Sequence, residues 1–157
     1  MAGAVSKEDE RAGAEIVYGP EACYNQTMEF FQELGFPKGV LPLKDLVECG
    51  RVPETGFVWM KQKTPYEHFF ESTSTRVSYS IEVTAYVEKN KMRKMTGVKS
   101  KQMFMWVPIT EMIINENPAK KKIYFKTPMG IGRSFPITAF MTDEEKEKFL
   151  LENNVIT

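Results

Sequence analysis

The chain has 157 residues, 42% hydrophobic and 27% charged, with 21 Lys and Arg balanced by 21 Asp and Glu. That length suits one domain around one core, and the composition is that of a soluble globular protein. Two cysteines, Cys23 and Cys49, exclude a disulfide framework, and no apolar run reaches the roughly 18 residues a membrane span needs.

The first ten residues lack the charged-then-apolar pattern of a signal peptide, so the expected location is cytoplasmic, at most peripheral at a membrane surface. Residues 6–18 read as a short helix, capped by Ser6 with Glu8, Asp9 and Glu10 in its first turn, where the helix dipole favours them. Gly19 stops it. Pro20 opens a clearer helix over 20–34, with Tyr24, Met28, Phe31 and Leu34 as its apolar stripe and Gly35 as its end. Together these form an N-terminal helical segment, 1–34. Residues 35–42 hold two glycines and two prolines and read as a shaped loop.

From residue 43 the periodicity is two. Strands are expected near 44–49, 57–63, 66–72 and 76–88, with a tight reversal at Val52–Gly56. The 76–88 stretch alternates most regularly, with Val77, Tyr79, Ile81, Val83, Ala85 and Val87 on one face. Such alternation indicates an antiparallel sheet with one buried face. Asn90 turns the chain into a short strand at 91–95, which Gly97 breaks, and a long strand is expected over 102–114. Strands at 121–127 and 133–140 follow. Pro108 and Pro136 must sit at edges or bulges, because proline cannot donate to a ladder. Thr142 to Glu145 is a capping-box signature for a short closing helix. The β-rich body is thus 35–141 and the C-terminal helix and tail 142–157, all within one structural domain. The fold class is mainly β: a curved antiparallel sheet or β-roll of about eight strands with helices at both ends.

Within the 102–114 strand, Met103, Met105, Val107 and Ile109 fall on one face and Phe104 and Trp106 on the other. Both faces are apolar, so both require a cover. An apolar ligand is one such cover. Met92, Met95, Met103, Met105 and Met112 suggest a pliable interior suited to it. The candidate ligand-binding residues are Trp59, Phe104, Trp106, Met103 and Met105, with Lys99 and Lys101 for an anionic end.

Net charge is zero but unevenly spread: residues 35–141 carry 17 Lys and Arg against 9 Asp and Glu. Lys89, Lys91, Arg93, Lys94, Lys99 and Lys101 fall together without an acid, and Lys120, Lys121 and Lys122 add a second cluster. Lys89, Lys91, Arg93 and Lys94 form a candidate basic patch for an anionic membrane surface or an acidic protein. A solvated hairpin face is the simplest single explanation and is favoured over any one partner, and the interleaving with aromatics does not suit a nucleic-acid-binding sheet.

Catalytic chemistry has few candidates. His68, the one histidine, shares a strand face with Tyr66 and Phe70. Any Ser–His or Cys–His system would need it as base. There is no Gly-x-Ser-x-Gly elbow, and one His with two separated Cys does not make a zinc site. Gly130-Ile131-Gly132 joins two strands with no helix following, so it is not a phosphate loop. No catalytic residue, metal site or cofactor is expected.

Several strings in order carry a resemblance: Gly35 through Pro42; Glu54-Thr55-Gly56-Phe57-Val58-Trp59; Thr96-Gly97-Val98-Lys99-Ser100-Lys101 running into Trp106-Val107-Pro108; Ile123-Tyr124-Phe125; and Ser134-Phe135-Pro136. Over about residues 30–141 the chain resembles the plant-specific family catalogued as domain of unknown function 538. The N-terminus without a signal is similar to its intracellular branch. The resemblance implies a mostly-β roll with a flanking helix. It also implies an analogy to lipid-binding domains of the bactericidal/permeability-increasing type, and a suggested pigment-hydrolysing role. It brings no catalytic residues, and fold likeness does not fix function. The leading expectation is a non-enzymatic binding protein for an apolar or amphipathic, lipid-like ligand. The alternatives are an esterase-type hydrolase of a pigment-like ester through His68, and a regulatory or scaffold protein whose basic face binds an acidic partner.

Overall fold

Alternating Val, Tyr, Ile and Ala make residues 75–88 a strand long enough to hold two shorter strands on one edge and a single long one on the other. The structure, a computed structural model, describes residues 7–115, 121–128 and 132–152. In chain order the elements are α1 (Lys7–Glu10), β1 (Glu15–Tyr18), α2 (Pro20–Leu34), β2 (Leu46–Val52), β3 (Phe57–Gln62), β4 (Tyr66–Phe70), a 3-10 turn (Glu71–Thr73), β5 (Thr75–Glu88), β6 (Lys91–Gln102), β7 (Met105–Pro108), β8 (Glu111–Asn115), β9 (Lys122–Lys126), β10 (Arg133–Pro136), a second 3-10 turn (Ile137–Phe140) and α3 (Asp143–Glu152). The ten strands described form one open, wholly antiparallel sheet. This is the expected mainly-β class, with two more strands than the sequence suggested.

β5 and β6 are the spine. β3 pairs with the second half of β5, from Lys61 opposite Glu82 to Phe57 opposite Tyr86, and β4 with the first half, from Phe70 opposite Thr75 to Tyr66 opposite Tyr79. β6 is divided likewise. Its start pairs β8 at Lys91 and Met92, and its end pairs β7 from Lys99 to Gln102. β1 and β2 extend the β3 side, and β9 and β10 the β8 side. Pro108 and Pro136 do lie on edge strands, β7 and β10.

β6 does not break at Gly97, as its sequence suggests, but kinks. Lys94 and Gly97 both hold positive φ, 51° and 86°. Each kink resets which side the side chains take, so Met92, Met95 and Val98, three apart, point inward together with Ser100. The register slips in step, from Tyr79 opposite Val98 to Thr84 opposite Thr96. Ile81 sits in that slip and is exposed, not inward as its alternation predicts. Gln62, buried, donates through Nε2 to the bulged carbonyls of Ser80 at 2.9 Å and Tyr79 at 3.4 Å. Its Oε1 accepts from the Lys44 amide at 3.0 Å. One glutamine thus satisfies polar groups that the broken ladder leaves over.

The main core lies on one face of the sheet, between α2 and the second 3-10 turn. α2 buries Cys23, Thr27, Phe31 and Leu34. This corrects the stripe read from sequence, because Tyr24 is exposed. Burying Phe31 and Leu34 contributes about 1.5–3 kcal/mol each. Gly35 ends the helix in the left-handed conformation, as expected. Ile137 and Phe140 close the opposite end of the core, so residues 133–140 are a short strand and a turn rather than one strand. The capping box at α3 forms: the Glu145 amide donates to Thr142 Oγ1 at 3.2 Å and the Thr142 amide to Glu145 Oε1 at 3.0 Å.

Residues 6–18 are not one helix. α1 is a single turn, and Glu15–Tyr18 pairs with β2 as an edge strand. Its proposed cap, Ser6, lies outside the described residues, as do 116–120 and Gly130-Ile131. The short helix places Arg11 on the sheet's outer face, over a second small cluster of Val52, Phe57 and Trp59.

Gly97 is the residue the spine cannot replace. A Cβ there would meet the Glu82 carbonyl oxygen at 2.4 Å, whereas at Gly13, with similar φ of 80°, nothing lies within 4 Å. Gly97→Ala therefore adds a backbone clash to about 1–3 kcal/mol of left-handed strain. Urea unfolding should show it clearly less stable than Gly13→Ala, which suffers the strain alone; equal losses would contradict the spine's geometry.

Candidate functional site

The apolar stretch that demanded a cover is not a continuous strand. Gln102 pairs with Met105, and Met103 and Phe104 form the two-residue turn between β6 and β7. The expected 102–114 strand is thus the end of β6, a hairpin turn, β7 and β8, with residues 109 and 110 between the last two. Met103 and Phe104 are 91% and 93% exposed, Met105 69% and Trp106 37%. They are a bare tip, covered by none of the described residues. Among the described residues, the interior methionines are Met92, Met95 and Met112, joined by Met60 rather than by Met103 and Met105.

Other residues expected beside them are elsewhere. Trp59 is 1% exposed. Its Nε1 donates to Glu48 Oε2 at 2.7 Å, and the Arg11 guanidinium lies 4.3 Å from its ring centroid while pairing with Glu82 at 2.8 Å. Its ring fills the space over Gly50, where a Cβ would come within 2.2 Å. Trp59 sits opposite Thr84, six residues, or about 20 Å, along β5 from Ser78. Ser78 pairs with Lys99, and Trp106 is farther along, opposite Lys101. Trp59 is a packed wall of the sheet, not part of the tip.

Lys99 and Lys101 do belong with Trp106. Both are exposed, Lys101 faces Trp106 across the ladder, and its Nζ stands 5.7 Å from that ring. Lys91, Arg93 and Lys94 occupy the opposite end of β6, with Lys89 in the turn before it, about 30 Å off. There Lys91 faces Glu88, and Arg93 and Lys94 lean on the Tyr86 ring at 5.6 and 5.5 Å. Glu10 Oε2 accepts from the Tyr86 hydroxyl at 2.8 Å. The basic run in the sequence is therefore two separate groups, and Glu10 of the N-terminal segment adjoins the second.

A cavity that the sequence did not reveal lies in the core at the tip end. Val77, Tyr79, Val98, Ile109, Met112 and Phe140 are among its walls. Its polar liners are buried Ser100 and Thr127 and the partly or fully exposed Thr73, Thr75, Gln102 and Arg133. Gln102 immediately precedes the tip turn, so the mouth and the tip share one end of the molecule. The cavity is small, about 40 Å³, and opens to solvent. Phe125, Phe135 and Phe140 pack edge-on beside it, with centroids 5.2–6.1 Å apart, and the Arg133 guanidinium lies 5.1 Å from Phe135. The only signal in the sequence was the methionines and phenylalanines, and their placement depends on pairings that periodicity does not show.

His68 lies on an open cleft with Pro42, Glu71, Ser72 and Met141. Its Nδ1 is 2.9 Å from the Tyr66 hydroxyl, and its ring packs edge-on to Phe70 at 4.5 Å, so the face-sharing read from sequence holds. Burial lowers its pKa from 6.5, and the charge of Lys44 adds to this. Cys49 is inside, its thiol pushed up to about 12 by burial and by the adjacent Cys23 thiol, which keeps it protonated and unreactive at neutral pH. Among the described residues, no cluster of three or more His, Cys, Asp or Glu could hold a metal ion, and no helix is long and apolar enough to cross a membrane.

A family model described as "Protein of unknown function, DUF538" matches residues 27–141. The chain belongs to that family. The DUF538 match takes in most of α2, the sheet from β2 to β10, the cavity and the hairpin tip, and it leaves out α1, β1 and α3. Among curated proteins and solved structures, none matches the chain.

His68 gives a pH signature. Between its folded pKa and 6.5 the unfolded chain binds more protons than the folded one, so stability should fall as pH drops through that window and be level above it. An NMR titration of this one imidazole should give a midpoint below 6.5, and His68→Gln should remove its share of the slope. A midpoint at or above 6.5 would contradict the burial described.

Proposed function

We propose that this DUF538 protein binds an apolar or amphipathic, lipid-like molecule and does not transform it. The observation that carries this reading is the core cavity: mostly apolar walls with buried Ser100 and Thr127 among them, and the more exposed Gln102, Thr73, Thr75 and Arg133 on the solvent side. That division suits a ligand with a hydrocarbon body and a polar or anionic end. At its present width the cavity is too small for an acyl chain, so entry requires the Phe125, Phe135 and Phe140 rings to separate. Edge-on rings and the pliable Met112 beside them move at smaller cost than backbone would. The location that accompanies this reading is the cytoplasm, or its membrane surface.

The hydrolytic alternative would use His68. Tyr66 occupies its Nδ1, and the Cys49 thiol is held protonated in the core. The binding reading predicts that ester turnover by the purified protein equals that of His68→Ala.

Native mass spectrometry after mild purification, followed by solvent extraction, tests the proposal. Bound mass that is extractable as lipid, or uptake of long-chain fatty acids from a panel, is expected. Arg133→Glu, at an exposed mouth position, should weaken an anionic ligand at least about tenfold while sparing an uncharged one of equal length. A protein that emerges free of ligand and takes up none of the panel would overturn the reading.

A further inference from the structure

The β6–β7 tip is built against the preferences of a turn. A two-residue hairpin with positive φ at its first central position alone favours Gly there and a small polar residue after it. This chain places Met103 at that position, with φ of 57°, and Phe104 next. A bulky side chain in the left-handed region is strained. Neither turn chemistry nor packing accounts for Met103 and Phe104, since both are almost wholly exposed.

The surroundings of the tip are cationic. No Asp or Glu occurs between Glu88 and Glu111, which spans both strands of the hairpin. Behind the tip stand exposed Lys99 and Lys101, then Arg76 on β5, its guanidinium 5.7 Å from exposed Phe69. The nearest acids on flanking elements are Glu67, opposite Ser78, and Glu71 in the 3-10 turn before β5.

We propose that this hairpin tip is a membrane-docking wedge: Met103, Phe104 and Met105 enter the acyl region of an anionic bilayer, Trp106 lies at its interface, and Lys99, Lys101 and Arg76 meet the lipid phosphates. The shape and charge favour a bilayer over a protein groove. Met105 follows the inward side of β6 and β7, with Gln102, while Trp106 follows the outer side with Lys101. The apolar groups therefore project in every direction from a narrow point. A protein partner buries one face of such a hairpin, whereas hydrocarbon surrounds all of it. Tryptophan prefers the headgroup level, and lysine stems lie along the apolar surface while their charges reach phosphate. The basic group at the far end of β6 takes no part. The wedge goes beyond the cavity reading and holds whether or not the cavity takes a ligand.

Flotation with phosphatidylcholine vesicles, with and without phosphatidylserine, is the test. The wild type should float with the anionic vesicles, lose partition as salt rises, and bind neutral ones weakly. Met103→Gly with Phe104→Ser supplies the residues the turn prefers, so this variant should unfold at no lower temperature than wild type. It should nonetheless lose at least about tenfold in partition. Lys99→Glu with Lys101→Glu should lose binding to the anionic vesicles only. Arg93→Glu with Lys94→Glu should change nothing. The proposal is overturned if wild type ignores phosphatidylserine vesicles, if the Gly–Ser variant binds equally, or if the tip instead drives a dimer that the same variant dissolves. Uptake of soluble fatty acids, measured separately, reports on the cavity alone, so either reading can fail without the other.

Discussion

The pairing of β5 with β6 is the constraint on which the rest of the molecule depends. Each strand is long enough to hold two shorter partners on its free edge, and each hands over from one partner to the next near the middle. At that point the ladder slips around Gly97, whose backbone lies so close to Glu82 that no Cβ fits. The slip lets one sheet bend around a core, and the left-handed turns at Lys94 and Gly97 keep Met92, Met95, Val98 and Ser100 on its inner side. Gln62 completes the bend by bonding the carbonyls that the slip frees. A uniformly paired hairpin would be flatter, and the space between β5, β6 and β9 that becomes the cavity would not be enclosed.

The same spine separates the functions of its two ends. One end turns at Asn90 beneath α2, where the Asn90 amide donates to the Leu34 carbonyl oxygen at 2.7 Å. Arg93 and Lys94 there rest against Tyr86 and face the acidic N-terminal segment. The other end projects its turn beyond the body, next to the cavity mouth. Trp59 illustrates the difference between the two faces. It lies within the matched DUF538 region, yet part of its cover, Arg11 and Ala14, comes from the segment before that region.

What could be read from the sequence follows from how local each signal is. The α2 boundaries, the Asn90 turn, the edge prolines and the Thr142–Glu145 box depend on residues a few positions apart, and all were legible. The antiparallel class followed from the alternation of β5. β6 was misread because two kinks scramble its alternation, so a continuous strand looked like a broken one. Residues 103–109 were misread for the opposite reason. Met103 and Phe104 extend an apolar run smoothly, and nothing in their chemistry marks a turn that Gly, Asn or Asp would normally signal. Residues 15–18 became a strand because β2 offered an edge, which is a tertiary effect that local helix signals cannot anticipate. The cavity depends on which strands meet, so composition could supply its building materials and not its position.

The claim that separates this account from a fully covered sheet is that the β6–β7 tip is apolar and bare. Limited peroxide oxidation read by peptide mass spectrometry addresses it directly, because methionine reactivity follows exposure. Met103 and Met105 should oxidise well ahead of Met60, Met92, Met95 and Met112, and anionic vesicles should slow them toward the buried rate. Met103 and Met105 oxidising no faster than Met92 and Met112 in free protein would contradict the account.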